Sequence, residues 1–286
     1  MEQEQEQERR ATQTVENGSV IRIAIAPSDV TGALLSIGVR NGSTLLVHPD
    51  AIVAAQFPPM ASEQRLALLI AAIEAAIGPS GTLVIPTFTY SFPRGEVFDV
   101  LNTPSAVGMV SQRFRKLPGV VRSSDPILSF ACRGPLAQEL CAIPVKECFG
   151  PESVFAALHR LNADIVDLGC SISRGGTFVH YVETVHGVDY RYRKEFSGTV
   201  ILPGGQTREC SVVYNVRDLA RKAEADFRRL QKRLADDGKL RCAEVGRSRI
   251  MAVAANDLFG TAWKMLDEDP MSLIAEGADN GEVQRT

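Results

Sequence analysis

The chain has 286 residues, 45% hydrophobic and 23% charged, with 34 acidic against 31 basic side chains and a net charge of −3 at pH 7. Such a chain can bury a sizeable core in one large domain or two small ones, and its near-balanced charge carries no signature of nucleic-acid binding. No apolar run reaches the roughly 18 residues that mark a transmembrane helix, so neither nucleic acid nor membrane is expected as a partner.

The opening M-E-Q-E-Q-E-Q-E-R-R is rich in Glu and Gln. Residues 1–20 therefore read as a disordered tail without the apolar core of a signal peptide, and the expected location is cytoplasmic. Ser28 is placed to cap a helix through Val39, with Asn41-Gly42 as its stop. Ser43 to His48 reads as a buried strand, and Ser62 caps a helix carrying Leu66, Leu69, Ile70 and Ile73 at helical spacing, ending near Gly78. Thr82 to Pro86 is a second buried strand, leading into the loop T-F-T-Y-S-F-P-R-G. Ser105 is expected to cap a helix ending at Leu117-Pro118-Gly119, followed by a strand over Ile127–Ala131 and a short helix over Pro135–Ala142. Pro151 fits the first turn of a helix through Arg160, and Asp164 to Leu168 is a third buried strand before a helix from Thr177.

Beyond Val188 the pattern changes. Phe196–Leu202 and Thr207–Tyr214 alternate around Pro203-Gly204-Gly205-Gln206, a hairpin, and Val216 to Ala235 reads as a long amphipathic helix. Short strands at Leu240–Val245 and Ile250–Val253 precede a last helix containing Trp263. This alternation predicts an α/β fold: a layered single domain over 21–269, with a mixed, partly parallel central sheet and an added antiparallel hairpin. The acidic stretch 270–286 reads as a loose C-terminal tail.

The six cysteines form no C-x-x-C pair and have no His at zinc-finger spacing, so they are expected to be reduced and mostly buried. There is no P-loop, no G-x-G-x-x-G after a strand and no H-E-x-x-H. Gly169-Cys170-Ser171-Ile172-Ser173 is similar to a nucleophile elbow but lacks its second Gly.

The chemistry-bearing segment is Thr177 to Glu183, T-F-V-H-Y-V-E. His180 and Glu183 are three apart, on one helix face. With Thr177 as N-cap, His180 lies at N3, where the helix dipole disfavours the imidazolium and a nearby carboxylate favours it. That balance suits a general base; a packing His beside a surface Glu is the competing reading. Cys170 near His180 leaves a Cys–His nucleophile open as an alternative. His48 ends a strand and could line a cleft, His159 reads as a surface residue and His186 as structural. Arg191, Arg193 and Lys194, interleaved with Tyr190 and Tyr192, could meet phosphates, a solvated strand face being the alternative.

From about Gly42 to Gly198 the chain resembles the antibiotic N-acetyltransferase family, which includes the aminoglycoside 3-N-acetyltransferases. The matching segments are G-S-T-L-L-V-H at Gly42–His48, G-T-L-V-I-P-T-F-T at Gly81–Thr89, T-P-S-A-V-G at Thr103–Gly108, P-G-V-V-R-S-S-D-P at Pro118–Pro126, and T-F-V-H-Y-V-E. The resemblance implies an N-acyltransferase that uses acetyl-CoA and no metal, with His180 as catalytic base and Glu183 as its orienting carboxylate. His48, Thr87, Thr89 and Ser105, near strand and helix ends, are then expected to contact the cofactor's pantetheine arm, thioester or phosphates. Arg122, Ser123 and Asp125 are expected on the acceptor, a primary amine on a sugar. Aminoglycoside-modifying relatives commonly carry His where this chain has Asp125. That variant resembles a branch acting on nucleotide-linked amino sugars, the acceptor class this implies; an aminoglycoside acceptor and a non-catalytic CoA- or nucleotide-binding protein stand as alternatives. A homodimer is left open.

Overall fold

The computed structural model describes residues 24–221 and 223–275. The tail assigned to 1–20 lies outside them. Among the described residues ten strands are formed: β1 Thr44–Pro49, β2 Thr82–Pro86, β3 Phe98–Asp99, β4 Val121–Arg122, β5 Phe130–Arg133, β6 Asp164–Leu168, β7 Arg191–Ile201, β8 Thr207–Arg217, β9 Arg241–Val245 and β10 Ser248–Ala254. Seven make one sheet in the order β4-β5-β2-β1-β6-β10-β9. Its centre, β2-β1-β6, is parallel, and antiparallel pairs close both sides. The sheet is therefore mixed and partly parallel, as expected.

The apolar runs of the central strands follow from burial on both faces. Leu46, Val84, Ile165 and Val253 point into one core. Leu45, Val47, Leu83, Ile85, Val166 and Leu168 point into the other. The second core is covered by the helices Pro27–Ser36, Ser62–Ile77 and Met109–Phe114, which contribute Leu34, Leu69, Ile73 and Phe114. The first is covered by Val154–Arg160, Thr177–His186 and Ala255–Glu268, through Phe155, Phe178, Val182 and Leu258. Helices thus cover the sheet on both faces. β7 and β8 form the expected hairpin, longer than the alternation suggested, and with β3 make a separate three-stranded sheet.

Several boundaries differ from expectation. The long helix over Val216–Ala235 is absent: β8 runs through Arg217, and the helix is Arg228–Asp236, burying Leu230 and Leu234. The helix expected from Ser28 starts at Pro27 after Ala26, whose N–H donates to Asp29 Oδ2 at 2.7 Å, so Ser28 is not its cap. Ser153, rather than the turn at Pro151, caps Val154–Arg160. Ser105 caps no helix, because the next one begins at Met109 behind Gly108. The strand expected over Ile127–Ala131 begins only at Phe130. The chain also stays packed beyond 269: Leu273 and Ile274 are buried, and Ile274 pairs with Ala225.

Candidate active site

The parallel strands β1, β2 and β6 end on one side of the sheet, where ligands enter α/β folds. A cleft of about 540 Å³ opens there, lined by His48 near the end of β1, Phe88 and Tyr90 after β2, Cys170 after β6, Met109 at the start of the helix Met109–Phe114, and Thr177. Gly169 makes the turn out of β6 with φ +79°, and a Cβ there would meet Val53 at 2.7 Å. Tyr90 holds a left-handed backbone, φ 54°, at the cleft wall, a conformation that costs of order 1 kcal/mol or more in a non-glycine residue.

Thr177 opens the ten-residue helix Thr177–His186, whose N-cap is Gly176 rather than Thr177, so His180 sits at N4. A Cβ at 176 would meet the Phe227 ring at 2.9 Å, so glycine lets that ring approach the helix start. Phe227 lies 5.5 Å from the His180 ring centroid and Phe149 5.8 Å from it, both edge-on, so the imidazole is held between two aromatic rings.

His180 Nδ1 is 2.7 Å from Glu183 Oε2; the histidine is 20% exposed and the glutamate fully buried. Glu183 Oε1 accepts from the Tyr190 hydroxyl at 3.0 Å. Arg191 Nε lies 2.6 Å from Glu183 Oε2, and its Nη2 is 2.9 Å from His180 Nδ1. A carboxylate accepts only and a guanidinium donates only, so Nδ1 cannot serve both as partners. Were Nδ1 bare, a buried carboxylate would face a lone pair at hydrogen-bond distance. Nδ1–H donating to Glu183 leaves the lone pair on Nε2, and Arg191 Nη2 then stands beside Nδ1 as a charge and not as a hydrogen-bond partner. Burial first, and Arg191 second, hold His180 below its ordinary pKa, with Glu183 opposing. Burial pushes the Glu183 carboxyl up, but His180, Arg191 and Tyr190 outweigh it and hold it below the usual carboxylate range. The pair is a neutral imidazole on an ionised carboxylate at neutral pH, which is the form a general base needs.

The other residues singled out in the sequence are distributed differently. His48 lines the cleft; its Nδ1 is 3.3 Å from Asp167 Oδ1, and both ring nitrogens are buried without a hydrogen-bond partner. Thr87 and Thr89 are fully buried, their hydroxyls bonding the carbonyls of Ser129 and Pro126. Their N–H groups are also engaged, with Ser129 and Ile127. They brace the strand-end loop and offer the cleft neither group. Ser105 lies in a neighbouring depression with Arg113 and Lys116; its N–H donates to Gln112 and its Oγ accepts from Val107.

Arg122 and Ser123 are buried supports: Arg122 bonds Thr87, Ser129, Val100 and Thr103, and Ser123 Oγ accepts from Phe130. Asp125 Oδ1 caps a turn, accepting from the N–H groups of Ile127 and Leu128 at 2.8 and 2.9 Å. His159, expected at the surface, is partly buried and stacks on Phe259 at 4.0 Å. His186 is structural, bonding Asp267 and packing on Trp263.

Arg191 and Tyr190, read in the sequence as part of a basic and aromatic run, contact the His180–Glu183 pair. Tyr90 and Phe149 were missed. The hint for Tyr90 was its place in the loop directly after β2; nothing local marks Phe149.

The Cys–His nucleophile loses its footing. Cys170 Sγ faces the His48 carbonyl at 3.2 Å and Asp167 Oδ1 at 3.7 Å. Burial and then Asp167 push the thiol far above its usual range, so no thiolate forms near pH 7. Cys170→Ser is expected to keep acyl transfer within about threefold of the parent enzyme, as a non-nucleophilic cysteine would. Steady-state kinetics showing a loss of about 100-fold or more would restore the cysteine as nucleophile.

The family described as aminoglycoside 3-N-acetyltransferase matches residues 54–267. The chain belongs to this family. It is accordingly an N-acyltransferase, of a family that uses acetyl-CoA. Aminoglycoside N(3)-acetyltransferase IV of Salmonella sp. is 30% identical over 252 residues, covering 86% of this chain and 89% of that protein. Aminoglycoside N(3)-acetyltransferase III of Acinetobacter baumannii is 26% identical over 178 residues, 54% of this chain and 59% of that protein. The crystal structure of apo aminoglycoside acetyltransferase AAC(3)-IVa superposes with a TM-score of 0.73 at 26% identity, over 91% of this chain and 95% of that one. A histidine-to-alanine variant of that enzyme in complex with apramycin gives a TM-score of 0.70 at 27% identity, over 87% and 95% of the two chains. Among the described residues, no helix is long and apolar enough to cross a membrane.

Proposed function

We propose that this protein transfers an acetyl group from acetyl-CoA to a primary amine on an amino sugar, with His180 as general base. The observation that carries the reading is the His180 Nδ1–Glu183 contact of 2.7 Å on a helix that opens on the strand-end cleft. Nε2 takes the proton from the amine as its nitrogen bonds to the acyl carbon, and returns it to the sulfur as the carbon–sulfur bond breaks. The base is then regenerated and no acyl-enzyme is needed. The helix N-terminus at Thr177 faces the cleft, where its dipole favours negative charge developing on the acyl oxygen. The apolar walls at Phe88 and Met109 suit the pantetheine arm, and the orphaned ring nitrogens of His48 suit one of its amides.

The acceptor reading favours an aminoglycoside. Asp125, on which a nucleotide-linked amino sugar rested, is 5% exposed and spends Oδ1 on a turn, which weakens the basis for a different acceptor. The curated relatives are named for aminoglycosides, and one neighbouring structure is a complex with a gentamicin. The deciding experiment is thiol release from acetyl-CoA across apramycin, gentamicin, nucleotide-linked 3-amino and 4-amino sugars, and simple amines. Turnover with an aminoglycoside is expected. Release with the nucleotide-linked sugars alone would transfer the acceptor assignment to them. Binding of acetyl-CoA without release for any amine would sink the catalytic reading.

A further inference from the structure

Arg191 is 6% exposed, and it comes from β7, outside the helix that carries the base. Its Nε is 2.6 Å from Glu183 Oε2, its Nη2 2.9 Å from His180 Nδ1, and its Nη1 donates to the Asn215 carbonyl on β8 at 3.3 Å. The guanidinium is therefore clamped between the second sheet and the His–Glu pair. We propose that Arg191 is a positioning residue of the base, holding Glu183 ionised as the acceptor for Nδ1–H and so committing Nε2 to proton removal. This rests on the reading of His180 as the base.

Charge and geometry both support this role. Without Arg191, Glu183 would be a fully buried carboxylate with one hydroxyl donor, Tyr190, and the histidine. A buried carboxylate so placed draws a proton onto itself or onto its neighbour. With Arg191, its charge is matched by a fixed cation. That cation also stands beside the imidazole, where it opposes the imidazolium. Both effects hold the ring neutral to lower pH. The other groups around the ring do not substitute for it. Phe149 and Phe227 are uncharged. Tyr190 points at Glu183, and Tyr214 packs on Phe149. The Glu147 carboxylate, in the segment leading to Phe149, is matched by Arg193 at 3.2 Å. Arg191 is thus withdrawn from any phosphate-binding role.

The chain has four histidines, few enough to follow each by NMR on protein labelled with ¹³C-histidine, His180 being assigned by the signal lost in His180→Asn. In Arg191→Gln, the ring of His180 is expected to titrate about one pH unit higher, a tenfold gain in proton affinity. The acidic limb of kcat/KM should move with it, and the affinity for acetyl-CoA should not change. A purely structural role would lower activity evenly at all pH values and leave the titration in place, which would overturn the inference. Should Arg191→Gln fail to fold, Arg191→Lys carries the test. It keeps the charge, so the titration, the acidic limb and kcat should stay near those of the parent, kcat within about threefold; a loss of about tenfold or more at all pH values with the titration in place would mark a structural role and overturn the proposal. A shifted titration with an unmoved acidic limb would instead sink His180 as the base, leaving the effect of Arg191 on the ring intact.

Discussion

His180→Ala is expected to slow acyl transfer by about 10²- to 10⁴-fold, the range a positioned general base supplies, while the affinity for acetyl-CoA stays within about twofold of the parent. The cleft walls include His48, Phe88, Tyr90, Met109, Cys170 and Thr177, and His180 does not line them. If His180 removes the proton and the cleft holds the donor, the two tasks fall to different side chains, and truncating one should not disturb the other. The wild-type enzyme supplies a second signature. The pKa of His180 is held below its ordinary value by burial and Arg191, so kcat/KM should fall only as the pH drops below about 6.5. Steady-state rates and calorimetric binding decide the matter. A variant with turnover near that of the parent ends the assignment of His180, and one that loses donor binding along with turnover shows that the residue shapes the cleft instead.

What could be read from sequence and what could not divides along physical lines. The central strands were legible because strands buried on both faces need unbroken apolar runs, and T-L-V-I-P and D-I-V-D-L supply them. The pair His180 and Glu183 was legible because helical periodicity alone brings them together. Arg191 was not, since it reaches the pair only after the chain leaves the helix at Gly187, with φ +86°, and turns into β7. No local rule links residues 180 and 191 across such a turn. The helix over Val216–Ala235 was misread because its second half is amphipathic, with Leu230 and Leu234 buried, while its first residues belong to a strand whose pairing with β7 depends on contacts distant in sequence. Polar residues after strand ends were the least legible class. Thr87, Thr89, Arg122 and Asp125 look alike in sequence whether they bind a ligand or the protein's own backbone, and the structure engages all four with the protein.

Arg122 gives the sharpest consequence of that distinction: Arg122→Met is expected to destabilise the fold by about 3 kcal/mol or more and to leave acceptor KM unmoved in whatever protein stays folded. Nε faces Thr87 Oγ1 and Ser129 Oγ, both at 3.2 Å. Nη1 donates to the carbonyls of Val100 and Thr103 at 3.2 and 2.6 Å, and Nη2 donates to the carbonyl of Thr87 at 2.7 Å. The guanidinium also lies 5.1 Å over the Phe98 ring. One side chain therefore ties the loop after β2, the residue before β5 and the segment after β3 to the strand it occupies. Burial, and after it Arg115, acts against its charge, with Asp99 opposing, so an apolar replacement recovers some desolvation energy. It cannot recover the carbonyls. Ser129 Oγ still reaches the carbonyl of Thr87 at 2.7 Å, but the buried carbonyl of Val100 and the half-buried one of Thr103 lose a charged donor, and a buried acceptor so stranded costs about 1–3 kcal/mol. The balance falls on the side of destabilisation, and against a typical total of about 5–15 kcal/mol it is large. Urea unfolding measures it. Unchanged stability combined with a raised acceptor KM would return Arg122 to the role its sequence suggested, that of a substrate contact.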